Sequence, residues 1–114
     1  MLSKSDILGI HDLGEPVKLH IPEWDNDVCL RRPTANDRDH WEMYCEDHKT
    51  KPKSIWRAKL AAMLLCDESG KLLFTPAEAE KLGEKSAAAL HRIWTKALEL
   101  MSISDKEVAE LEKN

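Results

Sequence analysis

The run Leu60-Ala61-Ala62-Met63-Leu64-Leu65-Cys66 is the longest uninterrupted apolar stretch in the chain. Its seven residues fall far short of the roughly 20 that a membrane-spanning helix needs. With Ile55, Trp56 and Ala58 before it, the stretch reads as a helix over residues 55–66, opened by Ser54 as cap. After Lys59 its apolar residues cover nearly the whole circumference, and a helix of that kind has to be enclosed by other elements. A chain of 114 residues and 13.0 kDa has material for one modest core around it. The expectation is therefore a single domain over 1–114 wrapped on this central helix.

The enclosing elements are also readable. Asp6-Ile7-Leu8 forms a short helical turn, capped by Ser3 or Ser5 and limited by Gly9 and Gly14. Val17-Lys18-Leu19-His20-Ile21 alternates apolar and polar between two prolines, which is strand patterning. Pro22 to Asp27 is turn chemistry, and Val28 to Arg32 can return as the second strand of a hairpin. A lone hairpin is marginal in water, so it is expected to lean on the helices. Thr34 with Asp37 resembles a capping box, placing Arg38, Trp41, Tyr44, Cys45 and His48 on one helical face. Thr75-Pro76-Ala77-Glu78 combines cap, first-turn proline and a glutamate at the third position, the sharpest helix start in the chain. Gly83 stands where a left-handed residue would end that helix. Leu90, Ile93, Trp94, Ala97, Leu98 and Met101 form an amphipathic stripe on a helix over 84–101. Ser104 with Glu107 opens a last helix through Val108 and Leu111. The fold class is mainly α: a small helical domain of about five helices over 34–114, with an N-terminal turn and short β-hairpin over 1–33.

Composition narrows the function. Apolar residues make up 42% and charged residues 33%, the balance of a soluble globular chain. Lys plus Arg number 17 against 21 Asp plus Glu, a net charge of -4, which opposes general binding to nucleic-acid phosphates. The acids begin too early, and apolar residues are too few, for an N-terminal secretion signal. Cys29, Cys45 and Cys66 match no zinc or redox spacing, and an odd count reads as reduced thiols in a cytoplasm.

The sites that could carry chemistry are weak. Cys45 and His48 lie three apart on one helical face, but zinc needs three or four protein ligands and no other spacing converges on them. The chain has no Gly-rich phosphate loop, nucleophile elbow or HExxH. Acid pairs such as Asp37 with Asp39, or Glu78 with Glu80, sit in first turns or on polar faces. No catalytic, cofactor or metal residue is assigned, and a non-enzyme is expected. Lys49, Lys51, Lys53, Arg57 and Lys59 surround Trp56, a cation-and-aromatic mixture that can grip single-stranded nucleic acid. A small nucleic-acid-binding regulator using residues 49–59 is accordingly the alternative reading.

Four Trp against one Tyr and one Phe is an unusual aromatic balance. Trp94 belongs to the amphipathic stripe and Trp56 lies one turn before Leu60, positions that suit a core or its edge. Trp24 falls in the hairpin turn, while Trp41 shares a face with Tyr44. Trp and Tyr concentrate at the energetic centres of protein interfaces. Trp24, Trp41, Tyr44 and Trp56 are therefore the candidate protein-binding residues.

The order of features also resembles a known family. It runs from the Asp6-Ile7-Leu8 turn through Pro22-Glu23-Trp24, Arg32-Pro33 and Asp37-Arg38-Asp39 to the helix beginning Arg57-Ala58-Lys59-Leu60. The stretch from Cys66 through Gly70 to Thr75, then Leu82-Gly83-Glu84 onward to Leu90, and the close at Glu112-Lys113-Asn114 complete it. Together these resemble the tail assembly chaperones of long, non-contractile-tailed bacteriophages. The resemblance implies a non-catalytic, self-associating assembly factor without cofactor, working in the cytoplasm of the infected host cell and absent from the mature virion. Its implied partners are the tape measure protein, which it coats, the tail tube protein, which it recruits, further copies of itself, and a longer form of itself made by ribosomal frameshifting. Lys113-Asn114 is compatible with an A-rich slippery heptamer in the coding sequence.

Overall fold

The computed structural model describes residues 1–101, apart from the side chains at 53 and 54. The capping box expected at Ser104 lies outside the described residues. Five α-helices and a three-stranded antiparallel sheet make up the described chain.

Helix α1 spans Lys4–Leu8. Ser3 caps it: its hydroxyl accepts from the Asp6 N–H at 3.2 Å while the Asp6 carboxylate accepts from the Ser3 N–H at 2.9 Å. Strand β1, Val17–Ile21, pairs antiparallel with β2, Asn26–Leu30, with Val17 opposite Leu30 and Ile21 opposite Asn26. A 3-10 turn over Pro22–Trp24 joins them, and Asp25 closes it in the left-handed region at φ 47°.

Helix α2, Ala35–Asp47, starts at the Thr34–Asp37 capping box, and Asp37 also accepts from Arg31 at 2.7 Å. Helix α3 spans Lys53–Leu64 with Pro52 at its cap position, so it begins ahead of Ser54, the expected cap. It also ends early. Leu65 turns extended, and β3, Leu65–Cys66, pairs with β2 to place Leu65 opposite Leu30 and Cys66 opposite Cys29. The expected hairpin is thus the first two strands of a larger sheet. Arg31 N–H donates to the Leu64 carbonyl at 2.9 Å and Leu73 N–H to the Leu65 carbonyl at 3.0 Å, supplying partners that a longer helix would have left unmade. A fully apolar run fits a buried helix and a buried strand equally well, which is why patterning extended the helix to residue 66.

Between Cys66 and Leu72, themselves bridged, the chain reverses in a turn organised by Asp67. The Asp67 carboxylate accepts from the Ser69 and Lys71 N–H groups at 2.9 and 3.0 Å. Gly70 sits in that turn at φ +91°, a conformation that favours glycine. Helix α4, Ala79–Leu82, follows a 3-10 turn over Pro76–Glu78, where the Glu78 carboxylate accepts from the Thr75 N–H and hydroxyl at 2.9 and 3.0 Å. Gly83 ends α4 in the right-handed region at φ -64°, not the left-handed one expected of it. Helix α5, Ala87–Leu100, starts three residues later than the stripe suggests, because Ser86 caps it through the Ala89 N–H at 3.1 Å.

The core joins sheet to helices. Ile21 and Leu30 pack with Leu60 and Leu64 of α3 and Ile93 of α5, and all five are fully buried. Each such side chain contributes roughly 1.5–3 kcal/mol by leaving water. From the stripe, Leu90, Ile93, Ala97 and Met101 are buried, while Trp94 and Leu98 stand half-buried at the edge.

Candidate functional site

Trp41 is the hub of an aromatic group that joins three helices. Its ring stacks on Tyr44 of α2 with centroids 5.9 Å apart, and meets Trp56 of α3 and Trp94 of α5 edge-on at 6.3 and 5.8 Å. Edge-to-face contact suits the ring quadrupoles, whose faces are negative and edges positive. Of the four candidate binding residues, Trp41 is the one inside the core, only 4% exposed. Tyr44, Trp56 and Trp24 are half-buried and packed against that core. The structure brings Trp41, Tyr44 and Trp56 together, and leaves Trp24 apart at the hairpin turn.

His48 extends the stack, its ring lying 4.0 Å from that of Tyr44. One ring nitrogen, Nδ1, pairs with the Tyr44 carbonyl at 2.9 Å, and the His48 carbonyl accepts from Trp56 Nε1 at 3.0 Å. Burial raises the Tyr44 hydroxyl pKa above its ordinary value, with Cys45 and Glu80 adding to the shift. Among the described residues, no group of three or more His, Cys, Asp or Glu lies where it could hold a metal ion, so Cys45 and His48 find no further ligands there.

The cationic segment turns much of its charge toward its own chain. Lys59 Nζ lies 5.3 Å from the Tyr44 ring and the Arg57 guanidinium 5.9 Å from the Trp94 ring, both cation–π arrangements. Lys49 pairs with Glu46 at 3.0 Å. The Arg57 Nε is buried and has no hydrogen-bond partner among the described residues. Three cations of the segment, Lys49, Arg57 and Lys59, thus face groups of their own chain.

Beside the aromatic group, α2, α3 and α4 enclose a cleft of about 590 Å³. Tyr44, Ile55, Lys59, Ala79, Glu80 and Glu84 are among the residues that line it. The volume lies in the range of roughly 300–1,000 Å³ usual for binding clefts.

Sequence reasoning missed the apolar N-terminal segment as a surface. No residue of α1 is buried, and Leu2, Ile7, Leu8, Ile10 and Leu13 around it are all exposed. The signal was present in Asp6-Ile7-Leu8-Gly9-Ile10, where apolar residues sit in a helix too short to bury a face. Met43, Ile55, Leu72 and Leu73 add further exposed apolar side chains on the body.

The chain's fold is similar to the bacteriophage HK97 tail assembly chaperone, with a TM-score of 0.63 and 20% identity over 89% of this chain and 95% of that one. No curated protein matches it. The family model for phage tail assembly chaperones matches residues 15–114. The chain belongs to the phage tail assembly chaperone family.

Proposed function

We propose that this protein acts without catalysis as a tail assembly chaperone that self-associates, coats the tape measure protein and helps recruit tail tube subunits. The family match over residues 15–114 carries this reading. The exposed apolar side chains of the N-terminal segment and of Met43, Ile55, Leu72 and Leu73 support it, because coating a long helical client needs apolar contact surface. The half-buried rim of the aromatic group contributes contacts through Tyr44 and Trp56, with Trp41 supporting them from below and Trp24 acting at the hairpin. The net charge of -4 keeps a multivalent coat soluble. The protein works in the host cytoplasm beside a longer, frameshifted form of itself, and leaves before the virion is complete.

Co-expression tests this directly. The tape measure protein encoded beside this chain, expressed alone, is expected to be insoluble, and with this chain to become soluble and co-purify. A tape measure protein that stays insoluble, or that is soluble without retaining this chain, contradicts the reading.

A further inference from the structure

We propose that Cys29 of β2 and Cys66 of β3 form a cross-strand dithiol that reacts with low-molecular-weight disulfides and closes to a bond stapling the two strands. All three cysteines of the chain are free thiols, and their spacing along the sequence matches no redox motif. Antiparallel pairing nevertheless makes two of them neighbours: Cys29 stands opposite Cys66, next to Leu30 opposite Leu65. The third, Cys45, lies on α2, outside the sheet.

The geometry suits a bond. Residues directly opposite in an antiparallel ladder point to the same face, with Cα atoms about 4.5–5.5 Å apart. A disulfide spans Cα separations of roughly 4.4–6.8 Å, so the pair closes with little backbone movement. Lys18 of β1 stands opposite Cys29, and Lys18, Cys29 and Cys66 form one row across the sheet. All three line an open depression of about 370 Å³, through which a small reagent reaches the row. Burial raises the Cys66 thiol pKa, and the neighbouring Cys29 and Asp67 add to the shift.

Unequal exposure sets the order of the steps. Cys29 is half-buried and meets the reagent first, while Cys66 is only 2% exposed. The Cys29 thiolate attacks one sulfur of the incoming disulfide, forming a mixed disulfide and releasing one thiolate. Cys66 then loses its proton to water and attacks the Cys29 sulfur, and the second thiolate leaves. The dithiol is oxidised by two electrons, and the small disulfide is reduced to two thiols. Because the second step is intramolecular, the reagent never has to reach Cys66. The product ties β2 to the two-residue strand β3. It also fixes the base of the turn that leads to exposed Leu72 and Leu73, since Leu72 is bridged to Cys66.

Mapping the bond in the full chain tests this, with oxidised glutathione as the probe. The three cysteines fall in separate tryptic peptides, 19–31, 39–49 and 60–71. The reduced chain is oxidised at about pH 8, taken as a single copy from a non-reducing gel, and digested without reductant. Peptide 19–31 is expected to be linked to 60–71 as the main product. The oxidised chain is expected to melt at least about 5 °C above the reduced one, and added reductant to abolish the difference. Cys66→Ser, its fold checked by thermal melting, is expected to stop at a glutathione adduct on Cys29. Cys29→Ser is expected to leave Cys66 unmodified. An unaltered chain that ends with glutathione on Cys29 and a free Cys66, or that links either residue to Cys45, overturns the proposal whatever the variants do. An oxidised chain that melts no higher than the reduced one forms its bond at the expense of this fold, and overturns it as well.

Discussion

Arg92 and Glu23, 69 residues apart in sequence, meet in a two-pronged ion pair: Arg92 Nε and Nη2 donate to the two carboxylate oxygens at 2.8 and 3.1 Å. The pair ties α5 to the 3-10 turn between β1 and β2 and so sets the sheet against the helical layer. Partial exposure limits its value, because water and salt screen the charges. Arg92→Ala is expected to lower the melting temperature by no more than a few degrees, and 1 M salt to shrink the difference. A large loss unaffected by salt would mean that Arg92 acts through packing.

The same pair holds the Glu23 carboxyl below its ordinary pKa, the Arg92 hydrogen bond being the main cause. Asp6, Asp67 and Glu78 are lowered too, by hydrogen bonds from Ser3, from Ser69 and Lys71, and from Thr75. A carboxyl whose folded pKa lies below its unfolded value stabilises the fold fully above the unfolded value, 3.8 for Asp and 4.5 for Glu. That stabilisation is lost as pH falls through the folded value. The melting temperature is therefore expected to fall below about pH 4.5 and continue falling through pH 3. Glu78→Gln is expected to flatten part of that fall. A melting temperature that rises between pH 5 and pH 3 would contradict these assignments.

Truncating the aromatic hub removes its contacts with rings on three helices. Trp41→Ala is expected to cost about 3–5 kcal/mol in urea unfolding, the range for deleting a large buried ring. Trp24→Ala, at a half-buried position, is expected to cost clearly less. Equal costs would mean that Trp41 is not the hub.

The helices were largely legible from local chemistry, although the Ser86 cap of α5 was missed and Ser54 was misread as the cap of α3. Ser3 with Asp6, Thr34 with Asp37 and Thr75 with Glu78 form side-chain-to-backbone bonds within four residues; the last two stand where their spacing placed them, and the first settles on Ser3 over Ser5. The stripe from Leu90 to Met101 was legible through its apolar periodicity, and it buries Leu90, Ile93, Ala97 and Met101. The third strand was not legible, since Leu65 and Cys66 become a strand only because β2, some 35 residues earlier, has an open edge. The conformation of Gly83 was misread: α4 ends with backbone hydrogen bonds from the Gly83 N–H to the Glu80 and Lys81 carbonyls, which need no left-handed residue. Of the candidate site, the aromatic residue types were visible but not their depths, because Trp41 and Tyr44 share a helical face and only tertiary packing separates buried from half-buried. The exposed N-terminal segment was hidden by its brevity.

Gly70 turns at positive φ, +91°, as Gly14 does at +75°. Gly70→Ala is expected to cost about 1 kcal/mol, because an added Cβ disfavours that backbone region although it would meet only Pro16 Cγ at an ordinary 3.8 Å. Thermal or urea unfolding measures this, and an unchanged stability would mean that the turn relaxes into a right-handed form.

Deleting the gene from its phage, with the protein resupplied from a plasmid as control, tests the chaperone role most directly. Electron microscopy of the lysate is expected to show filled heads without tails, with tails restored by the plasmid, and mass spectrometry of purified wild-type virions to show none of this protein. Normal tails in the deletion lysate, or the protein retained in finished virions, would contradict a role confined to tail assembly.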